Sequence, residues 1–375
     1  MVKGIHLTLM IGPAVPVPVP QVVLDALTSV EVTTTAGRAS GFRLAFTLHN
    51  QSPLHTLFLL SGGAAIPLIR VIIAVTLNGM PEVLMDGVMT NHEVTPGTEP
   101  GHSTLNVIGE DLTRVMDYID FSGFPYPAVP VEGRVALILA KYALFGIVPV
   151  IIPTVLMDVS LPTERIPRQQ GKDLAYIRQL ADEVGYVFYI EPGPLPGMNI
   201  AYWGPEIKVG IPQPALNINM DAHTNVESLS FRFNSDSRTQ PIVNIQEPFT
   251  KTPIPIPIPD ISPLNPPLGL VSAIAKSIEQ MTGTARMSPA RAALTGMTGA
   301  ARSAEAITGS GNLDVLRYGH VLKARRLVGV RGAGIAFDGL HYVKSVTHTI
   351  KRGEYKESFT LSRNGLISML PVVPT

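Results

Sequence analysis

The side chains able to do chemistry are scattered, and their spacing suits structure better than catalysis. Nine histidines are spread over 375 residues. None opens a His-Glu-x-x-His zinc frame, because His92-Glu93 runs on into Val94, Thr95 and Pro96. His341 and His348 are seven apart in a stretch that reads as strand, so strict alternation sends them to opposite faces and away from a shared metal. Glu110 and Asp111 have the residue types of a glycosidase acid pair. Such a pair flanks a sugar from two different elements, whereas adjacent carboxylates at a helix start suit capping and the helix dipole. Gly329, Gly332 and Gly334 outline part of a phosphate loop, but Phe337 stands where a third glycine belongs and no Lys-Ser/Thr follows. A hairpin turn is the better reading. No cysteine is present, which excludes disulfides, thiolate nucleophiles and iron–sulfur ligation. No catalytic, cofactor or metal site is expected.

Two further groups carry charge. Asp158, Glu164, Asp173, Asp182 and Glu183 are the acids that a cell-wall hydrolase would have to use, without a paired histidine or cysteine nucleophile. Lys323, Arg325, Arg326 and Arg331 form the densest basic cluster. Read as strand, Lys323 and Arg325 share one face, which is either a solvated sheet face or a surface lining a lumen or meeting an acidic partner. Lys+Arg and Asp+Glu are both 29, so the basic excess of a nucleic-acid binder is missing. Charged residues are 15% and hydrophobic ones 45%, a surface sparse enough in charge to call for cover by partner subunits.

The elements that would hold these groups are mostly strands. Val15–Pro20 alternates Val and Pro and reads as an extended arm, which also rules out the uninterrupted helical core of a signal peptide. Phe42, Leu44, Phe46 and Leu48 alternate on one face. Leu68–Leu77 closes on the hairpin signal Asn78-Gly79, Val83–Thr90 and His92–Thr95 follow, and Pro96–Gly101 reads as a turn. Asp111–Tyr118 predicts a short helix and Val131–Phe145 a longer one. The apolar run Ala143–Met157 is too short and too proline-broken to span a membrane; it is a buried strand pair or a surface that a neighbour covers. Lys172–Val184 gives the clearest helix, apolar at Leu174, Ile177, Leu180, Ala181 and Val184, with Gly185 at its C-cap. Tyr186–Glu191 and Met198–Trp203 should pair across the intervening turn. Pro253–Pro267 is a tether that cannot join a central sheet, and Leu268–Thr308 reads as one or two weak helices or a mobile insertion. Strands resume at His320–Leu327, Ile335–Phe337, Tyr342–Lys351 and Tyr355–Ser362.

The fold class expected is mainly β with an α/β insertion: two tandem antiparallel β-barrels, duplicated, plus a small α/β middle domain. The duplication rests on an echo. Met85-Asp86-Gly87-Val88, His92 and Leu105-Val107 come back as Phe337-Asp338-Gly339-Leu340, His348 and Phe359-Leu361. The domain map is an N-terminal arm over 1–29, a first barrel over 30–120, the middle domain over 121–205 and a second barrel over 206–250 and 312–365. A proline-rich tether and insertion fills 251–311, and 366–375 is an apolar tail.

With these residues in view, the sequence resembles the late-control protein D hubs of phages. The same hub forms the N-terminal half of type VI spike proteins and occurs in extracellular contractile injection systems. The matching stretches are Asp86-Gly87-Val88 with Gly109-Glu110-Asp111-Leu112, then Gly171–Ala181 through Gly185-Tyr186. The C-terminal match is Ala324-Arg325, Asp338–His348, Gly353-Glu354-Tyr355 and Phe359–Asn364. The resemblance implies a non-enzymatic homotrimer whose paired barrels form a ring in a virion tail baseplate or injection-system particle, assembled in the bacterial cytoplasm. It further implies a tail tube or tube-initiator protein on one side, a separate spike polypeptide on the other, further baseplate proteins around it, and passage of DNA or cargo through the lumen without membrane insertion. The alternative function is a tail-associated cell-wall-degrading enzyme. In fused relatives the chain continues from the C-terminal position into the spike, so Leu366, Ile367 and Leu370 are the expected contacts with the spike or an adjacent copy, unless the tail folds back on its own sheet.

Overall fold

The computed structural model describes residues 4–13, 15–48, 68–97, 103–154, 166–236, 238–246, 253–257, 265–272, 274, 277–280, 296, 300 and 305–370. In chain order, the first region holds β1 (Ile5–Gly12), β2 (Val17–Pro18), helix α1 (Gln21–Ala26), β3 (Leu27–Thr35), β4 (Gly41–Leu48), β5 (Arg70–Leu77), β6 (Met80–Pro96) and β7 (Ser103–Asp111). A middle unit follows with α2 (Val131–Ala140), β8 (Ile147–Ile151), α3 (Asp173–Glu183), β9 (Val187–Pro192) and β10 (Asn199–Gly204). The last region holds β11 (Gln213–Asn217), β12 (Val226–Phe233), β13 (Thr239–Gln246), β14 (Pro253–Pro257), β15 (Gly269–Ser272), β16 (Ser277–Gln280) and β17 (Ile307–Asp314). It continues with β18 (Leu327–Arg331), β19 (Gly339–Lys351), β20 (Glu354–Arg363) and β21 (Gly365–Ser368).

Thirteen strands form one open sheet. Its first half runs β1-β5-β6-β7-β4-β3 and its second half β11-β18-β19-β20-β17-β12. Numbered by order of appearance, both halves have the same strand order. Two irregularities in each half repeat as well, while the shift between Ile73 and Ala74 in the first half and that between Gln213 and Leu216 in the second have no counterpart. A bulge between Leu27 and Ser29 in β3 answers one between Val226 and Ser228 in β12, and a bulge between Met89 and Asn91 in β6 answers one between Val343 and Ser345 in β19. Bulges occupy specific places because they re-aim a strand, so two of them at matched positions mark a shared plan. One difference in sense remains: β1 runs antiparallel to β5, while β11 runs parallel to β18.

The register corrects the echo read from the sequence. Val88 lies opposite both Arg70 and Glu110, as Tyr342 lies opposite both Leu327 and Ser362. Asp86 therefore corresponds to Leu340, and the Asp-Gly pairs are out of step by two residues. Other expectations shift too. The arm over 1–29 contains β1, which pairs along its whole length with β5; its alternation of Leu7, Leu9 and Ile11 is a strand pattern that the neighbouring prolines mask. The second half begins its return at Ile307, inside the expected insertion, and the described part of Leu268–Thr308 is mainly strand, with only Gly296 and Ala300 in helix. The described start of the proline tether lies outside the central sheet, as β14 of a separate sheet ordered β14-β13-β16.

Both halves share one apolar core, in which Phe46, Leu105 and Val32 pack in the same cluster as Leu313, Tyr355 and Leu361. The middle unit has its own core. Its sheet, β8-β10-β9, packs with α2 and α3 around Trp203, Ile138 and Ile177. Helix α3 ends as expected, with Gly185 at φ 72° and the Tyr186 amide donating to Ala181 O at 2.7 Å. Helix α2 stops at Ala140, short of the predicted Phe145, and the apolar run after it supplies β8, whose Val148 and Val150 are exposed.

Candidate functional site

The two half-sheets meet where β3 pairs with β19, from Ser345 opposite Thr35 to Lys351 opposite Ser29. Arg352-Gly353 make a two-residue turn, so Lys351 and Glu354 exchange both backbone bonds across β19–β20. Alternation then leaves Val346, His348 and Ile350 to bond β3, and makes Thr33 and Thr347 a pair whose side chains approach closely. Their hydroxyls hydrogen-bond at 2.9 Å. Behind the joint, His348 Nδ1 lies 3.0 Å from Glu357 Oε1 and 3.1 Å from the Tyr355 hydroxyl, and the Leu322 amide donates to Glu357. Burial raises the Glu357 carboxyl above its ordinary 4.5, against the lowering effect of His348.

The strands equivalent to those of the joint are unpaired on the matching side. Among the described residues, strand β12, the counterpart of β3, pairs with β17 alone. Among the described residues the outer part of β6, counterpart of the β19 segment in the joint, pairs only with β7. His92 on that edge is half-buried, and Glu93, Val94 and Thr95 are exposed.

Most of the chemically capable residues serve the frame. Asp111 caps the short helix that follows, accepting from the Thr113 amide at 3.0 Å and the Ser40 amide at 2.7 Å. The Gly329–Gly334 stretch is the β18–β19 hairpin, its turn held by the Ala333 amide donating to Asp338 Oδ1. His341 and His348 depart from the parity rule. The bulge between Val343 and Ser345 cancels the odd spacing, and both histidines are buried, His341 against Phe231 and His348 against Glu357. Burial, with the Arg363 charge nearby, lowers His341 to about 3. Among the described residues no cluster of three His, Asp or Glu side chains could hold a metal.

Lys323, Arg325 and Arg326 do not lie on a strand face, and Arg331 ends β18. Residues 321–326 form a connection that turns at 324–326, with Arg325 at φ 63°. Lys323 pairs with Glu82 of β6 at 2.6 Å, and Arg326 with Glu191 of β9 at 3.2 Å. Arg325 donates to Thr35 O at 2.8 Å and lies over the Tyr189 ring. These cations fasten the second half to the first half and to the middle unit. Asp173 is buried and accepts from Tyr142, Lys141 and Gln169, while Asp182 is exposed, Glu183 is half-buried, and Asp158 and Glu164 lie outside the described residues. A cleft of about 650 Å³ separates the middle unit from the second half. At its wall Glu305 binds Lys208, at 2.7 Å, and Lys344. Burial opposes ionisation of Glu305, but the two ammonium groups outweigh it and lower its pKa. Sequence reasoning missed this cluster because its members share no local pattern.

The described part of the tail, 366–370, folds against its own chain. Strand β21 pairs with β15, placing Leu366 opposite Val271, and the Ile367 amide donates to Ala336 O at 3.1 Å. Arg363 braces this end, donating to the carbonyls of Gly365 and Asp338. Leu366 is half-buried, whereas Ile367 and Leu370 are exposed beside Leu270 and Ile335, on the rim of a groove of about 820 Å³.

Comparison of the whole fold with solved structures is decisive for its class. A tail protein from Neisseria meningitidis matches with a TM-score of 0.63 at 12% identity, over 97% of this chain and 98% of that one. The chain has the tail-protein fold. The 43 kDa tail protein of prophage MuSo2 from Shewanella oneidensis matches with a TM-score of 0.62 at 14% identity, over 96% and 99% of the two chains. The E. coli c3393 protein, a type VI secretion component with structural similarity to T4 bacteriophage tail proteins gp27 and gp5, shares the tail-protein fold with a TM-score of 0.52 at 12% identity, over 93% and 76%. No protein-family model matches the sequence, and no curated protein does.

Proposed function

We propose that this chain is a non-enzymatic baseplate hub of a contractile tail or injection system, three copies of which close a ring between a tail tube and a separate spike protein. The observation that carries the reading is the repeated half-sheet. Two units of one plan, joined edge to edge within the chain, let three subunits present six similar half-units to a six-fold tube while keeping three-fold symmetry toward a spike. Within this reading the halves curve into the two barrels of the ring. The tail-protein fold supports the assignment, and so does the consumption of buried charge by structural pairs. The exposed apolar rim at Ile367, Leu370, Leu270 and Ile335 is the surface assigned to the spike, since contiguous apolar exposure marks partner surfaces. Image reconstruction of the particle that carries this chain tests the proposal: three copies around the axis are expected, and six or one would contradict it. The competing cell-wall hydrolase predicts clearing of peptidoglycan in a zymogram, where the hub predicts none.

A further inference from the structure

We propose that the intramolecular β3–β19 joint is repeated between subunits, with β12 of one copy pairing antiparallel to the outer part of β6 in the next. The inference rests on the ring reading and names the contact that would close it. The matched bulges carry residue-level equivalence from one half to the other: Thr33 corresponds to Arg232 and Thr347 to Glu93. Transferring the register of the joint places His92 opposite Phe233, Glu93 opposite Arg232, Val94 opposite Phe231 and Thr95 opposite Ser230.

Three features fit that register. The Thr33–Thr347 hydroxyl pair becomes an acid facing a base, and opposite charges directly across an antiparallel pair are favourable. Both Glu93 and Arg232 are exposed, and neither has an ion-pair partner among the described residues. Pro96 falls where the backbone nitrogen points away from β7, so it removes no bond from its own hairpin and ends the edge. Two complementary edges left unpaired among the described residues of one chain are a liability unless something covers them, and the occupant that matches both by internal repetition is a second copy.

The absence of cysteine makes the test direct. Glu93→Cys with Arg232→Cys in the full chain should form an intersubunit disulfide on mild oxidation, because facing residues of this kind bring their Cβ atoms close enough to bridge. Thr33→Cys with Thr347→Cys is the control, expected to close within one chain. The expected result is a covalent ladder ending at three subunits, with native mass spectrometry of the unmodified chain giving a trimer. The charge arm is independent: Glu93→Arg or Arg232→Glu alone should remove the trimer, and the double exchange should restore it. A trimer without the cross-link overturns this contact and leaves the ring reading standing. A cross-linked ladder running past three upholds the contact and overturns the three-copy ring. A monomer without cross-links overturns both.

Discussion

Strands β5 and β6 of the first half and β18 and β19 of the second can be laid over each other residue by residue, and the overlay separates what the frame requires from what each half was given. Arg70 and Asp86 correspond to Leu327 and Leu340. In the first half the pair is a buried ion pair, Arg70 Nε and Nη2 donating to Asp86 at 2.7 Å. Asn199 Nδ2 adds a bond to Asp86 at 2.8 Å, and Arg70 reaches Phe145 O at 2.7 Å. In the second half Leu327 and Leu340 pack with Tyr342, Ala36 and Leu268. The same two positions thus serve a polar clamp on the middle unit in one half and an apolar seat for the insertion in the other. A buried pair is a costly route to stability when apolar residues can fill the space; what it adds here is direction, since its bonds reach β10 and the turn before β8. Gly146 in that turn has φ 69°, and a Cβ would come within 2.0 Å of Gly197 O, so the clamp is built against a backbone that only glycine can follow.

The largest effect expected from breaking the comparison is that of Asp86→Ala. It strands Arg70 in a buried site and should cost about 3–5 kcal/mol, read as a fall in the urea midpoint. The double change Arg70→Leu with Asp86→Leu imports the second half's solution. It should recover most of that loss for the central sheet while hydrogen exchange rises across the middle unit, 131–204; unchanged exchange there would show that the clamp is not needed for docking. Next comes Leu340→Ala, expected at the lower end of about 2–5 kcal/mol because the rim of its cluster can relax.

The edges give a smaller contrast. Thr34 and Phe233 are equivalent, and alternation turns the Thr34 amide toward β19 and the Phe233 amide outward. Thr34→Pro should cost roughly 1–3 kcal/mol through the lost ladder bond. Phe233→Pro should leave the isolated subunit near wild type and act only on the intersubunit pairing proposed above. Equal losses in thermal melts of the two variants would refute the equivalence.

A pH series sharpens the picture within the second half, where the half-buried Glu305 and the buried Glu357 move oppositely. Glu305 has a lowered pKa, so its contribution is present above 4.5 and is lost as pH falls through the lowered value. Glu357 has a raised one, so its contribution is present below 4.5 and is lost as pH rises through the raised value. Glu305→Gln should therefore flatten the acid limb of stability against pH, and Glu357→Gln the limb above 4.5. The smallest effect concerns Ile367, an exposed β-branched residue at φ 57°. Ile367→Gly should raise the melting temperature slightly, relieving strain on the order of 1 kcal/mol, and on the hub reading proposed above it should weaken retention of the spike.

Much of this was legible in the sequence where the signal is local. Asn78-Gly79 makes the β5–β6 hairpin with both φ angles positive, at 53° and 83°. Helix α3 and the β9–β10 pair follow from periodicity and the Gly185 cap. The rest depends on partners far away in the chain. The bulges at Thr90 and Lys344 add one residue each without a compositional mark, so the echo was seen but set two residues out of register, and the histidine parity failed for the same reason. Lys208 finds Glu305 only because β17 returns to the sheet. The Ala- and Gly-rich insertion looked helical, yet its described part pairs as strand with β21 and β13, where tertiary pairing overrides local propensity.

Strand β14 has a consequence of another kind. Its prolines, 253, 255 and 257, face Gln246, Asn244 and Ile242 of β13, and the ladder between them must run through Ile254 and Ile256. All three proline nitrogens therefore point to the far side, where β14 ends its sheet. An incoming strand would meet a margin stripped of N–H donors. This margin of the sheet is terminated by its own covalent chemistry: no strand can add along β14, and no neighbour is needed to stop one.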